Sequence, residues 1–147
     1  MSWWQLYYHV VWATRGREPL MAPALEPLVH RQLRQIAQHE RIFVHAIGGT
    51  DDHIHMALSI PPTLAIATAM KQIKGASSHA INLEVGGTFG WQEDYGISTF
   101  SKRHLPLVVA YIENQRRHHA DRTIWPALEP FPNRSQTEDP GPRSRPT

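Results

Sequence analysis

The 147-residue chain contains no cysteine. Disulfides, thiolate metal sites and a cysteine nucleophile are thereby excluded, so any bound metal must be held by imidazole, carboxylate or amide oxygen. Long apolar runs are also missing: no stretch is long enough to cross a bilayer, and the amino-terminal "MSWWQLYYHVVW" has no basic segment ahead of it. A cytoplasmic protein without a membrane partner is the expectation. No internal repeat is visible. With 41% hydrophobic residues, the chain can bury one core and is too short for two ordinary domains.

Net charge is nearly absent too, at +2. The balance nevertheless hides ten histidines and a local excess of bases from residue 71 onward: Lys71, Lys74, Lys102, Arg103, Arg116 and Arg117. These favour a polyanionic partner, the plainer alternative being solvated helix ends.

Periodicity gives the elements. Between Gln5 and Ala13, alternation with aromatic and β-branched content predicts a strand. From Pro23 to Glu40, apolar residues at helical spacing predict an amphipathic helix. A strand over Ile42–Ile47, the turn "GGTDD" and a strand over His53–Ile60 form a hairpin that "PP" terminates. Thr63 is a candidate N-cap for a helix over Leu64–Leu83, with Met70, Ile73, Ser77 and Ile81 on its inner stripe. "ISTFS" predicts a fourth strand, and Pro106 sits in the first turn of a third helix running from Leu105 to Ala120.

This order is an α+β, ferredoxin-like split βαβ arrangement, an antiparallel sheet with helices on one face and an additional C-terminal helix. That helix either crosses the other side of the sheet or docks on a partner. Residues 1–125 form the expected domain. Residues 126–147, rich in Pro and Arg and without periodicity, are expected to be a disordered tail.

Chemistry concentrates in two places. In "TDDHIHMALSI", His53 and His55 stand at i and i+2 of a strand, so both imidazoles point to one face. In "VVAYIENQRRHH", Tyr111 and Gln115 stand at i and i+4 on an otherwise apolar helical stripe that continues to His119. If the stripe faces the histidines, Gln115 supplies an oxygen ligand beside two imidazoles and Tyr111 lies next to the ion. An anionic phosphate can complete such a shell. Asp51 and Asp52 are either turn formers or groups that orient an imidazole. His118 and His119 suit a helix C-terminus and are left out of the expected metal site.

Tyr-His-hydrophobic-hydrophobic-Trp at Tyr8–Trp12, "DHIHMALSIPP" at Asp52–Pro62, "KQIKGASS" at Lys71–Ser78, "WQEDYGISTFS" at Trp91–Ser101 and "YIENQRRHH" at Tyr111–His119 resemble the single-tyrosine HUH transposases of bacterial insertion sequences. That group includes the REP-associated tyrosine transposases, and the resemblance runs from Trp4 to Ala120. It implies a single-stranded DNA transposase in which Tyr111 is the nucleophile and His53, His55 and Gln115 bind Mg²⁺ or Mn²⁺. It further implies hairpin-containing single-stranded DNA as partner, a homodimer, and association with the nucleoid when DNA is bound. Lys71, Lys74, Lys102, Arg103 and Arg116 are the candidate nucleic-acid contacts. Two other classes stand beside this reading: a non-catalytic module for single-stranded or hairpin nucleic acid, and a small metal-dependent hydrolase.

Overall fold

The computed structural model describes residues 2–129. Strand β1 (Tyr8–Ala13) leads through a 3₁₀ turn to helix α1 (Glu26–His39). Strands β2 (Phe43–Gly49) and β3 (His53–Ser59) follow as a hairpin, then α2 (Ile66–Val85) and β4 (Gly96–Thr99). Helices α3 (Leu105–Glu113) and α4 (Gln115–Asp121) complete the elements before a last 3₁₀ turn at Pro126–Leu128. The sheet order is β2-β3-β1-β4, antiparallel throughout, as the split βαβ order requires.

Period-2 alternation sends the two sides of each strand to different layers. Val10 and Trp12 of β1 and Ile54, Met56 and Leu58 of β3 join Val29 and Leu33 of α1 and Met70, Ile73 and Ile81 of α2 in one large core. The other face is lined by small residues. Ala46 of β2 and Ala57 of β3, paired across the hairpin, pack against Val108 and Ile112 of α3. A register shift between Val44 and Ala46 makes His45 the extra residue of a bulge and puts Ala46 on that face. Gly48 lets α3 come close: a Cβ built there would overlap the carbonyl oxygen of Ile112.

Several boundaries differ from expectation. Ala65, not Thr63, occupies the N-cap of α2, with no side-chain cap bond, because Leu64 N–H is already turned back onto the Pro61 carbonyl at 3.0 Å. The third helix is not continuous. Asn114 Nδ2 donates to the Ala110 carbonyl at 2.7 Å, while the Asn114 N–H tightens onto Tyr111 O at 3.3 Å. The side chain thus takes a backbone partner and breaks the helix into α3 and α4.

Candidate active site

His53 and His55 lie on the small-residue face of β3, and α3 crosses that face on the same chain. His55 and Tyr111 rings meet edge to face at 6.1 Å, and His53 and His55 rings lie 5.1 Å apart. Both histidines are buried, as are Tyr111 and Gln115. The expected stripe therefore does face the histidine pair.

Each imidazole is held from behind. His53 Nδ1 is 2.7 Å from Asp52 Oδ1 and 2.9 Å from Thr50 Oγ1. A carboxylate only accepts, so Nδ1 carries the proton and Nε2 presents a lone pair. His55 Nδ1 lies 2.7 Å from His9 Nε2 across the sheet. His9 is held neutral, its pKa lowered to about 3 by burial first and by the neighbouring His55 second, so it can accept from His55. Of the two aspartates in the turn, Asp52 orients a histidine, whereas Asp51 accepts from Arg116 at 2.6 Å.

Among the described residues, Nε2 of His53, Nε2 of His55 and Oε1 of Gln115 are buried without a hydrogen-bond partner. Buried acceptors are rarely left so. Two neutral imidazole nitrogens and an amide oxygen are a donor set that suits a divalent ion.

Two further groups enter. His119 Nε2 and a carboxylate from beyond α4, Glu129, join the histidine pair, and donor atoms of all four lie within 4.8 Å of one another. Glu129 Oε1 is 3.1 Å from His55 Nε2 and 3.2 Å from His119 Nε2; Oε2 is 3.8 Å from His53 Nε2. Burial alone would raise the Glu129 carboxyl pKa, but His119, His55 and Tyr111 outweigh it and hold it well below the ordinary carboxylate range. Burial likewise lowers His55, against the pull of Glu129.

Tyr111 Oη donates to Glu129 Oε1 at 2.7 Å and accepts from the Trp125 N–H at 3.1 Å. Its ring is stacked between His118 and Trp125, each at 4.7 Å. Burial and the Glu129 contact push its pKa up to about 12, opposed by donors from Trp125 and Gln115.

His9, His119 and Glu129 were not among the expected site residues. His119 already lay on the Tyr111–Gln115 stripe, at i+8 from the tyrosine. His9 and Glu129 carry no local signal, since only sheet pairing and the return of the chain after α4 bring them in. Residues 126–129, read from sequence as the start of the tail, comprise the 3₁₀ turn and Glu129; residues 130–147 lie outside the described residues.

The candidate nucleic-acid cations are dispersed. Lys71 and Lys74 line a cleft of about 380 Å³ with Trp91 and Tyr95, on the layer of α2. Lys74 donates to the carbonyls of Glu93 and Asp94. Lys102 and Arg103 are exposed just before α3. Arg116 is a strut, bonding Glu26, Asp51 and the Met21 carbonyl. Trp91 packs its ring edgewise on Trp12 and Phe89 and donates to Ser77.

The chain is similar to known proteins in sequence and in fold. The ISDra2 transposase TnpA of Deinococcus radiodurans is 29% identical over 120 residues, covering 76% of this chain and 85% of the relative. The transposase for insertion sequence element IS200 of Salmonella typhimurium is 31% identical over 119 residues, covering 76% and 78%. Among solved structures, a candidate transposase from Deinococcus radiodurans R1 superposes with TM-score 0.64 at 25% identity, over 78% of this chain and 95% of the other. The REP-associated tyrosine transposase bound to a REP hairpin shares the fold, with TM-score 0.60 at 14% identity over 90% and 81%. The family model described as "Transposase IS200 like" matches residues 2–115, a span that takes in the histidine pair, Tyr111 and Gln115. With sheet, histidine pair and helical tyrosine all inside that span, the chain belongs to the IS200-like transposase family.

Proposed function

We propose that the protein cleaves and rejoins single-stranded DNA through a 5′-phosphotyrosine intermediate, with Tyr111 as nucleophile. The observation that carries the reading is the packing of a helical tyrosine against His55, whose buried imidazole lies beside that of His53 in one cluster of ligand-capable groups. His53, His55 and Gln115 would hold a divalent ion, Mg²⁺ or Mn²⁺, which when bound supplies Lewis-acid polarisation of the scissile phosphate.

The residues of the chain do the remainder. Tyr111 Oη forms a bond to phosphorus as the bond from phosphorus to the 3′-oxygen breaks. The phenol gives up one proton and the released 3′-oxygen takes one up. The phosphate stays with the 5′ end of the downstream strand. Attack by another 3′-hydroxyl on the phosphotyrosine restores the phosphodiester and the phenol. One ester replaces another at each step, so no nucleotide cofactor is needed. Asp52 and Thr50 fix the His53 ring and His9 fixes the His55 ring, while α3, seated against Gly48, positions the phenol.

Hairpin-containing single-stranded DNA is the proposed partner and a homodimer the proposed assembly, the first in line with the hairpin bound by the REP-associated relative. The competing reading, a non-catalytic binding module, draws on one fact: Tyr111 is 1% exposed. Labelled single-stranded oligonucleotides from the DNA flanking the gene, incubated with protein and Mg²⁺ or Mn²⁺ and run on denaturing gels, separate the two. A metal-dependent covalent adduct lost in Tyr111→Phe and His55→Ala is expected. Tight binding without adduct from any variant would favour the module.

A further inference from the structure

Four rings meet at the far end of the sheet face that carries the histidines. Period-2 alternation puts Ser59 of β3 on the same side as His53 and His55, and Phe43 of β2 pairs directly across from Ser59. His45, the bulged residue, reaches Ser59 on that side, and its ring lies 4.6 Å from that of Phe43. Tyr7, two residues before His9, brings its ring to 5.3 Å from His45 and 5.8 Å from Phe100, which packs beside α3. Helix α3, seated on Ala46 and Ala57, stands between this row and the histidine pair. At about 3.3 Å per residue, Ser59 is about 13 Å along β3 from His55.

The row is fixed from below. Ser59 Oγ donates to the Leu6 carbonyl at 2.6 Å, so in the 2.7 Å contact between His45 and Ser59 the imidazole Nε2–H is the donor, which sets the tautomer and the ring plane. The Phe100 N–H bonds the Tyr7 carbonyl at 3.2 Å and keeps those two rings adjacent. Yet the row is not core: Phe43 is 64% exposed, and Tyr7, His45 and Phe100 are half-buried. Ordered rings left in contact with water at a sheet end mark a binding surface.

Charge indicates what covers it. None of the four strands contains Asp or Glu, and just past Phe100 the chain presents Lys102 and Arg103 in an exposed 3₁₀ turn. Rings beside cations, on a sheet without carboxylates, suit a polyanion that carries flat apolar groups, which is the chemistry of an unpaired nucleic-acid strand. A second copy of the chain docked symmetrically through this face would instead bring like cations toward one another.

We infer that Tyr7, Phe43, His45 and Phe100 form a stacking platform for unpaired bases flanking the cleavage point, with Lys102 and Arg103 on the phosphates of the same strand. The inference rests on the reading that the protein acts on single-stranded DNA. The platform holds the strand a few nucleotides from the reacting phosphate and takes no part in the bond exchange.

The test uses the full-length Tyr111→Phe protein, which leaves the strand uncut, as parent. It is titrated with a labelled single-stranded oligonucleotide from the flanking DNA and with an abasic oligonucleotide of equal length. Phe43→Ala, Phe43→Trp and Lys102→Ala/Arg103→Ala are compared in that background. Phe43→Ala is expected to weaken binding of the base-bearing strand by about tenfold, with the abasic strand unaffected and Phe43→Trp close to the parent. Lys102→Ala/Arg103→Ala is expected to weaken both strands and to flatten the salt dependence. The platform is overturned if Phe43→Ala binds the base-bearing strand as the parent does, or loses affinity equally for the abasic strand. It is also overturned if the loss accompanies conversion of a dimer to monomers in light scattering, which makes the face an interface between copies. The phosphotyrosine reading is judged apart, by adduct formation with Tyr111 intact. Base-dependent binding that needs Phe43, without an adduct, removes the tyrosine chemistry and keeps the platform; an adduct with Phe43→Ala binding unchanged does the reverse.

Discussion

The two faces of one sheet do different work. Against α1 and α2 the strands present Val10, Trp12, Ile54, Met56 and Leu58, a continuous apolar layer. Against α3 the same strands present His9, His53 and His55 among Ala46, Gly48 and Ala57, so the packing is thin and small. Stability is concentrated on the first face and polar chemistry on the second, where buried acceptors and a buried phenol are kept at a cost. Alternation along β3 makes the division possible, because each successive residue serves the opposite layer.

Changes on either face should separate these roles. Ile73→Ala, in the fully buried stripe of α2, should lower unfolding free energy by about 2–5 kcal/mol in denaturant titration, while the native fraction keeps its adduct-forming rate. Gly48→Ala should show the opposite balance. Its Cβ meets the Ile112 carbonyl, so α3 must shift; the stability loss is about 1–3 kcal/mol, and adduct formation by the remaining folded protein falls much further because Tyr111 moves with α3.

Smaller effects sharpen the same comparison. Arg116→Ala releases α4 from Glu26 and Asp51 and should cost about 1 kcal/mol, since the guanidinium is partly solvated. If Arg116 also contacts DNA, its loss weakens binding uniformly across oligonucleotide sequences and flattens the salt dependence, readable by titration at several salt concentrations. Smallest is the acid response. His30 and His45 have pKa values lowered by burial, so the folded state binds fewer protons than the unfolded one. Their contribution is present above the unfolded value of 6.5 and is lost as pH falls below it. Thermal melts at pH 7.5 and 5.5 should show lower stability at pH 5.5, with the difference reduced in His30→Gln/His45→Gln.

Much of this organisation was legible in the chain. The strand alternation that aimed His53 and His55 together, and the helical stripe joining Tyr111 to Gln115, are local periodicities, and local periodicity survives folding. What failed locally has a physical cause in each case. The break at Asn114 depends on a side chain winning a backbone carbonyl, and Thr63 lost the cap of α2 to a turn that Leu64 N–H closes on the Pro61 carbonyl. His9 reaches His55 only through strand pairing 46 residues apart in sequence, and Glu129 arrives through the reversal at Arg122. The ion-pair partners of Arg116, Glu26 and Asp51, are distant in the chain and invisible to charge counting.

The central claim is that Tyr111 becomes esterified to the 5′-phosphate of cleaved DNA. Tandem mass spectrometry of the protease-digested adduct tests it most directly. A nucleotide phosphate on the peptide containing Tyr111, with a free 3′-hydroxyl on the released strand, is the expected result. A nucleotide on Tyr95 or another residue, or cleavage to two free ends with no residue modified, would contradict it.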